Sequence, residues 1–192
     1  MIKNNKTKAI FLDKDGTLSE ELGYNCSFDK FKLIDGSLEA LKLFKKLNYL
    51  SFIITNQSGI ARAYFREQDF KEFSDNILSS LNDKEELIKK LYYCPHHASM
   101  GFGEYKLDCD CRKPKIGLLE KARFDFNIDL ENSYVIGDKA SDIMLGKNAS
   151  CKTILVLTGY GKEDKVKLEA AGIVPDYIAD DLLGAAMWIK KV

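Results

Sequence analysis

Residues 8–18 read KAIFLDKDGTL, in which a short apolar run is followed at once by a polar turn. The run from Ala9 to Leu12 has the length and apolar character of a buried strand. Asp13, Asp15 and Gly16 begin where the run ends. The same succession recurs along the chain, and it predicts further strands at residues 50–54, 133–136 and 153–157, with shorter ones at 91–93 and 177–179.

Segments with the periodicity of amphipathic helices separate these strands. The first spans residues 38–47, and Ser37 is a candidate for its N-terminal cap. Similar spacing predicts helices at residues 70–81, 116–126, 165–171 and 181–190. Continuous apolar strands that alternate with helices indicate an α/β fold, in which a Rossmann-like parallel sheet carries helices on both faces.

Length and charge exclude several classes of protein. The chain has 192 residues, a length that suits one domain over residues 1–192. A hydrophobic fraction of 45% excludes intrinsic disorder. The 29 basic and 29 acidic residues cancel, which argues against nucleic-acid or membrane partners. No apolar run approaches the roughly 20 residues that span a bilayer, and residues 1–12 lack the core of a secretory signal. We therefore expect a cytoplasmic protein, and we predict a monomer.

Three of the five cysteines lie in one long irregular segment, about residues 94–114. With one histidine they form the closed Cys₃His set that is typical of a structural Zn²⁺ site. The predicted ligands are Cys94, Cys109, Cys111 and one of His96 and His97. We favour His96, because its one-residue spacing from the first cysteine mirrors the Cys-x-Cys pair. Bound zinc would order this unusually long segment. Three buried free thiols are the plainer alternative, and Cys26 and Cys151 are expected only to pack.

Polar residues follow four of the predicted strands. In open α/β sheets, ligands bind beyond the carboxyl ends of the strands, so these residues should meet at one edge. They form the segments Asp13-Lys14-Asp15-Gly16-Thr17, Thr55-Asn56-Gln57-Ser58-Gly59, Gly137-Asp138-Lys139-Ala140-Ser141-Asp142 and Thr158-Gly159-Tyr160-Gly161. The candidate site is therefore assembled from the whole chain.

The aspartates of these segments favour metal-assisted phosphoryl chemistry. Asp13 and Asp15 are two residues apart at a strand end, so both can face one cavity, and close carboxylates need a cation between them to ionise together. Asp138 and Asp142 add carboxylates from another strand end, and such oxygen ligands suit Mg²⁺. An aspartate can also attack phosphorus and form an acyl phosphate. The plainer alternatives are a simple turn at Asp15-Gly16 and helix capping by Asp138.

Three other groups could bind a phosphoryl group. Thr55-Asn56 offers a hydroxyl and an amide at a strand end, where backbone N–H groups also bind phosphate. Lys113 could supply a fixed positive charge, and Arg112 a bidentate grip on a second phosphate. Taken singly, Thr-Asn pairs are most often turn residues and Arg-Lys pairs are usually solvated surface.

Together these motifs resemble those of the haloacid-dehalogenase (HAD) phosphatase superfamily. Residues 10–18 match its first motif, Thr55-Asn56 its second, Lys113 its third and Gly137-Asp138-x-x-x-Asp142 its fourth. Within it, residues 55–62 and 94–114 resemble the D-glycero-D-manno-heptose 1,7-bisphosphate phosphatases and their relatives, the histidinol-phosphate phosphatases. Lys14, Ser19 and Ala63 stand where that family commonly has Arg, Asn and Gly.

The resemblance implies a role for each matched residue. Asp13 would be the nucleophile and Asp15 the general acid and then the base. Mg²⁺ would be bound by the side chains of Asp13 and Asp138 and by the main-chain carbonyl of Asp15. Thr55 and Lys113 would stabilise the phosphoryl group. The implied substrate-binding residues are Asp13, Asp15, Glu21, Tyr24, Thr55, Asn56, Gln57, Ser58, Arg112, Lys113 and Lys139.

The resemblance also implies a reaction. The chain would remove the C7 phosphate of the heptose bisphosphate through an aspartyl-phosphate intermediate, in nucleotide-activated heptose biosynthesis for cell-surface polysaccharide such as lipopolysaccharide. Because only residues 94–114 form a long insertion, we predict no large cap domain and expect the zinc loop to form part of the pocket wall. The open alternatives are histidinol phosphate or another small phosphate monoester as substrate, and a zinc-stabilised binding module without activity.

Overall fold

The computed structural model describes residues 6–192. These residues form one six-stranded sheet in which all neighbouring strands are parallel. The order of its strands is β3-β2-β1-β4-β5-β6. Their bounds are β1 Ala9–Leu12, β2 Leu50–Asn56, β3 Lys90–Cys94, β4 Tyr134–Gly137, β5 Lys152–Val156 and β6 Tyr177–Ala179. All six lie where the sequence predicted strands, and the α/β fold class is confirmed.

Seven α-helices connect and follow these strands in residues 6–192. They are α1 Ser37–Lys46, α2 Ser58–Ala61, α3 Glu67–Leu81, α4 Gly117–Phe126, α5 Ala140–Asn148, α6 Gly161–Ala170 and α7 Leu182–Ile189. The two longest connections, residues 13–36 and 95–116, contain short 3₁₀ turns at Phe28–Lys30 and Gly103–Tyr105, and the first also contains isolated β-bridges at Asp15, Ser19 and Leu33. Within the described chain no second sheet covers the first, as expected of a fold without a large cap.

The central strand β1 contributes to a hydrophobic core on each face of the sheet. Successive side chains of a strand point to opposite faces. Ile10 and Leu12 pack in the cluster that contains α1, α3 and α7. Ala9 and Phe11 pack in the other cluster, with α4. None of the four is exposed to solvent, which explains why this strand is apolar at every position.

The strand order brings the polar segments together. The chain runs outward from β1 to β3, crosses back to β4 beside β1 and then runs outward to β6, so the strand order reverses between β1 and β4. Ligands bind at such a point in open sheets. The backbone N–H of Asp13 donates to the carbonyl of Ile136 at 3.0 Å. The segments that follow β1 and β4 therefore begin side by side.

The structure differs from the sequence prediction mainly in its helices. Helix α3 begins at Glu67, where Asp69 binds the backbone and side chain of Arg66, and α6 begins at Gly161 rather than at 165. Helices α2 and α5 were not predicted. In α5, Ile143 and Leu145 pack in different clusters, so no single apolar face marks the helix.

Two further expectations concern the ends of elements and of the chain. Ser37 is the first residue of α1 rather than its cap, because Gly36 holds the cap position with a φ of 82°. Residues 1–5, part of the amino-terminal segment considered above as a signal, lie outside the described residues. Among residues 6–192 there is no helix with the length and apolar character needed to cross a membrane.

Candidate active site

Asp13 lies at the end of β1 in a buried and positively charged setting. Its Oδ1 accepts a hydrogen bond from Lys113 Nζ at 2.7 Å, and its Oδ2 is 3.9 Å from Lys139 Nζ. Burial alone would raise the pKa of Asp13, but the two ammonium groups outweigh burial and hold that pKa below its usual range. The carboxylate is thus kept ionised, as a nucleophile requires.

Asp15 has the opposite electrostatic balance. Burial raises its pKa, although the Lys14 ammonium opposes the rise. Lys14 Nζ bonds Oδ1 of Asp15, while Gln57 Nε2 lies 3.4 Å from Oδ2 and donates to Thr55 Oγ1 at 2.9 Å. Two carboxylates two residues apart therefore have pKa values shifted in different directions, which suits one for attack and the other for proton transfer.

Lys113 is fixed by contacts with four residues. Its Nζ lies 2.7 Å from Asp13 Oδ1, 2.6 Å from Asp142 Oδ1 and 3.0 Å from the carbonyl of Ile54. Its backbone N–H donates to Asn56 Oδ1 at 3.1 Å, and Asn56 Nδ2 donates to its carbonyl at 3.3 Å. Burial would lower the pKa of Lys113, but the carboxylates of Asp13 and Asp142 raise it. Asn56 therefore anchors the Lys113 backbone beside the carboxylates.

The carboxylates that follow β4 are suited to a cation. Burial and the nearby charge of Asp13 raise the pKa of Asp138 to about 7, and burial raises that of Asp142 to about 6. Oxygens of Asp13, Asp138 and Asp142 lie within 4.8 Å of one another. A cation would offset this buried charge. Both oxygens of Asp142 are already engaged, Oδ1 with Lys113 Nζ and Oδ2 with the backbone N–H of Lys139, whereas Asp13 uses only Oδ1 to accept from Lys113. Asp13 and Asp138 remain as the pair best placed to bind Mg²⁺.

Two glycines make room for the carboxylate of Asp138. Gly16 has a φ of 86° and Gly159 a φ of 52°, in the left-handed region that favours glycine. A Cβ atom would lie 2.2 Å from Asp138 Oδ2 at Gly16 and 2.3 Å from it at Gly159. The Tyr160 backbone N–H donates to the same oxygen at 2.9 Å. Close backbone approach from two loops thus fixes Asp138.

A polar cavity of about 390 Å³ opens above these groups. At its mouth Lys139 Nζ lies 3.3 Å from Glu21 Oε2 and 5.1 Å from the centre of the Tyr160 ring. The lining residues are Asp13, Asp15, Glu21, Gly23, Tyr24, Thr55, Asn56, Gln57, Ser58, Gly59, Lys113, Lys139, Ser141 and Tyr160. Ten of them belong to the eleven substrate-binding residues predicted above, so the folded chain gathers these into one cavity.

The predicted zinc ligands form a second cluster in the loop after β3. Cys94 Sγ lies 3.4 Å from Cys109 Sγ and 3.9 Å from His96 Nδ1, while Cys111 Sγ lies 3.1 Å from Cys109 Sγ and 3.4 Å from His96 Nδ1. A tetrahedral zinc with bonds of about 2.3 Å separates its sulfur ligands by about 3.8 Å. The two sulfur–sulfur distances are somewhat shorter than this, and all four ligand atoms lie within 4.8 Å of one another, so the four residues are grouped as a closed metal site needs.

Curated relatives match nearly the whole chain. The D-glycero-beta-D-manno-heptose-1,7-bisphosphate 7-phosphatase of Pasteurella multocida (strain Pm70) is 48% identical over 90% of this chain and 94% of its own. The enzyme of that name from Haemophilus influenzae (strain Rd) is 44% identical over 96% and 98%. The chain belongs to the heptose-bisphosphate phosphatase family. A family model described as "HAD-hyrolase-like" also matches residues 110–185.

A solved structure of the same family has the same fold. The D,D-heptose 1,7-bisphosphate phosphatase from B. bronchiseptica, complexed with magnesium and phosphate, aligns with a TM-score of 0.81 and 26% identity. The alignment covers 96% of this chain and 99% of that one.

The names of the relatives differ in the anomer of the substrate. A relative from Campylobacter jejuni is 41% identical over 82% of this chain and 87% of its own, and it is named as the phosphatase of the alpha anomer.

In this member of the heptose-bisphosphate phosphatase family, His97 lies outside the cysteine–histidine cluster and Arg112 lies outside the cavity. His97 Nδ1 accepts backbone N–H groups of Ser99 at 3.3 Å and Met100 at 3.1 Å, which leaves His96 as the histidine of the cluster. Arg112 does not line the cavity, and its Nη1 donates to the carbonyl of His96 at 3.1 Å. Lys113 is the one residue of the zinc loop among the lining residues, so the loop forms less of the wall than expected.

Sequence reasoning did not assign a role to Tyr160 and Ser141, which also line the cavity. Both occur in the polar segments quoted above, but neither residue type identifies a phosphatase motif. The ring of Tyr160 faces Lys139, and its backbone holds Asp138. Tyr160 could have been predicted from its position in the polar segment that follows β5, because ligands bind beyond the carboxyl ends of the strands.

Proposed function

We propose that this chain is an Mg²⁺-dependent phosphatase that removes the C7 phosphate of D-glycero-D-manno-heptose 1,7-bisphosphate. One observation carries the proposal: Asp13, Asp15 and Lys113 converge on one cavity at the carboxyl edge of the sheet, with pKa values shifted in the directions that attack, proton transfer and charge stabilisation need. The names of the curated relatives support the choice of sugar.

The proposed reaction has two steps. Asp13 attacks phosphorus, and Asp15 donates a proton to the sugar oxygen that leaves. Asp15 then takes a proton from water, which hydrolyses the aspartyl phosphate. Lys113 and Thr55 would bind the phosphoryl oxygens, because stabilising the charge on these oxygens contributes most to catalysis. The remaining lining residues would orient the sugar, and Arg112, which lies outside the cavity, keeps its predicted role as a contact for the second phosphate.

Magnesium completes the proposed site. The side chains of Asp13 and Asp138 and the main-chain carbonyl of Asp15 would hold it, because Asp138 is fully buried and makes none of the ion pairs found in residues 6–192. When bound, Mg²⁺ neutralises charge on the transferring phosphoryl group. Asp142 keeps Lys113 beside Asp13 instead of binding the metal.

The second proposed metal is structural. Cys94, His96, Cys109 and Cys111 would hold one Zn²⁺ with no open position, so this ion orders the loop that leads to Lys113 and takes no part in the reaction.

The proposed location and oligomeric state rest on two other observations. All five cysteines are free of disulfides, which is typical of a reducing compartment and supports a cytoplasmic location. One chain supplies every proposed site residue, so the proposed site needs no second copy of the chain, in keeping with a monomer.

Phosphate release from three substrates tests this function: both anomers of the heptose bisphosphate, and histidinol phosphate. We expect one anomer to exceed histidinol phosphate in kcat/KM by about 100-fold or more, the scale on which a site built for polar groups discriminates. Product analysis by phosphorus NMR should show that the phosphate at C1 remains. Equal or higher kcat/KM with histidinol phosphate would contradict the proposal.

A further inference from the structure

Lys14 lies between Asp13 and Asp15, yet no step of the reaction above uses it. Its side chain is 2% exposed, and a buried ammonium group requires a partner. Its Nζ bonds Oδ1 of Asp15 and lies 5.3 Å from the centre of the Phe73 ring on α3. In the described part of the chain, Asp15 is the one carboxylate within ion-pair distance of this ammonium.

The backbone of Lys14 is fixed as firmly as its side chain. Its carbonyl accepts the N–H groups of Leu18 at 3.0 Å and Ser19 at 2.9 Å, and Ser19 Oγ lies 3.3 Å from the same carbonyl. The chain therefore turns tightly behind Lys14. Since Phe73 bounds the far end of the side chain, the ammonium has little freedom to leave Asp15.

The two oxygens of Asp15 consequently have different surroundings. Oδ1 is bound to Lys14 beneath the cavity, whereas Oδ2 lies 3.4 Å from Nε2 of Gln57, a residue that lines it. We propose that Lys14 is a positioning residue, which holds Oδ1 of Asp15 and so presents Oδ2 as the oxygen that exchanges protons with the leaving group and with water. This inference rests on the proposed phosphatase chemistry, but it does not depend on which sugar is the substrate.

The proposal makes the effect of Lys14 depend on the leaving group. Phenyl phosphate needs a proton on its departing oxygen much more than p-nitrophenyl phosphate, whose leaving group is stable as an anion. A misplaced Asp15 should therefore slow cleavage of the first ester and spare that of the second. A residue that only supports the fold would affect both esters alike.

The test measures release of the phenol in a single turnover, with enzyme in excess, so that hydrolysis of the aspartyl phosphate does not contribute. With Lys14→Met we expect the rate for phenyl phosphate to fall about 100-fold and that for p-nitrophenyl phosphate to change less than about threefold. Lys14→Arg, which keeps the charge, should restore the first rate to within about threefold of the parent. Lys42→Met on the exposed face of α1 is the matched control.

Circular dichroism establishes that each variant is folded, and Lys14→Gln replaces Lys14→Met if the latter is not. Equal losses on the two esters, or no loss on either, would overturn the role of Lys14. A parent that cleaves both aryl esters but not heptose bisphosphate contradicts the proposed substrate alone, because the ratio between esters still reports on Lys14. A parent that cleaves neither the aryl esters nor heptose bisphosphate contradicts the proposed chemistry and the role of Lys14 together.

Discussion

Single residues of this site differ in charge state because of their immediate partners. Asp13, Asp15, Asp138 and Asp142 are all buried, and burial by itself raises the pKa of each carboxyl group. Only Asp13 has a pKa below its usual range, because the Lys113 and Lys139 ammonium groups outweigh burial there, whereas burial outweighs the same two groups at Asp142. Asp13 is thus the one carboxylate of these four that its surroundings hold ionised, which suits its proposed role as the nucleophile.

Asp13→Asn tests this selection directly. The amide is nearly isosteric but cannot attack phosphorus, so we expect kcat to fall about 1,000-fold or more while the chain stays folded. The measurement is phosphate release from heptose bisphosphate with Mg²⁺ present. Asp29→Asn, in the exposed 3₁₀ turn at Phe28–Lys30, is the control and should retain parental activity. Comparable turnover by Asp13→Asn and the parent would show that another group attacks.

Gly16→Ala tests the close packing around Asp138. The new Cβ would meet Oδ2 of Asp138 at 2.2 Å and also occupy a left-handed conformation that costs an alanine about 1 kcal/mol. Gly172→Ala carries the backbone cost alone, since nothing lies within 4 Å of its Cβ. We expect the left-handed backbone conformation to lower the free energy of unfolding of both variants by a similar amount. Only Gly16→Ala should need a higher Mg²⁺ concentration for activity. A magnesium titration of the two compares them, and identical half-saturation values would contradict this account.

Among the elements, the loop from β3 to α4 depends on attachments at several points. Asn56 binds the Lys113 backbone, the four zinc-site residues draw together two parts of the loop, and Glu67 of α3 joins the loop to the helix layer. Glu67 accepts hydrogen bonds from Tyr93 at 2.7 Å and from Tyr105 at 3.0 Å. The position of Lys113 in the cavity thus rests on the order of this loop.

Cys109→Ser tests the metal of the loop. Losing one of four ligands should reduce bound zinc from about one per chain to nearly none and lower the melting temperature by about 5 °C or more. Metal analysis of freshly reduced protein gives the first quantity and thermal unfolding the second. Cys26→Ser, outside the cluster, should change neither. A parent without zinc would contradict the assignment of these four residues.

Glu67→Gln tests how much the hydrogen bonds of Glu67 with Tyr93 and Tyr105 stabilise the fold, through the pH dependence of the free energy of unfolding. The hydroxyl of Tyr93 is the first cause of a pKa of Glu67 below its usual range, with that of Tyr105 assisting. Because the folded-state pKa is lowered, the charged group stabilises the fold above its unfolded-state pKa of about 4.3, and this stabilisation is lost as pH falls through the folded-state value.

The stability difference between parent and Glu67→Gln should therefore be present at neutral pH and shrink in acid. Since Glu67 is partly exposed, we expect only about 0.5–1 kcal/mol at neutral pH. Urea unfolding at neutral pH and at about pH 3 measures the difference at both ends. A difference that grows in acid would have the wrong sign for this mechanism. Tyr105→Phe, which removes one of the two donors, should lose part of the same stability.

For the whole molecule, sequence predicted the strands, and the meeting of polar residues in one cavity, far better than the helices. Apolar runs such as residues 9–12 identify buried strands, and the polar residues after them meet wherever parallel strands share an edge. Helix α5 has buried residues on two sides and so lacks a periodic signal. Tyr160 lines the cavity because of where β5 ends, and the pairing of Lys14 with Asp15 depends on how the turn packs on α3. The place of Tyr160 could have been inferred from the polar segment after β5, but the pairing of Lys14 with Asp15 does not follow from spacing.

The site draws residues from the ends of β1, β2, β4 and β5 and from the loop before α4, so a ligand there should stabilise the whole chain. Beryllium trifluoride with Mg²⁺ mimics a phosphoryl group on an aspartate and requires the carboxylate of Asp13. A ligand at 100 times its Kd adds about 2.7 kcal/mol to the free energy of unfolding, which raises the melting temperature of a chain this long by about 5–10 °C.

Thermal unfolding should show this rise as one cooperative shift in the parent and in Asp29→Asn, and no rise in Asp13→Asn. Mg²⁺ alone serves as the control for effects of the metal. An equal rise in Asp13→Asn would place the ligand away from Asp13. Two separate unfolding transitions, of which only one shifts to a higher temperature, would mean that the chain unfolds as more than one unit. The ligand would then stabilise only the unit that contains the site.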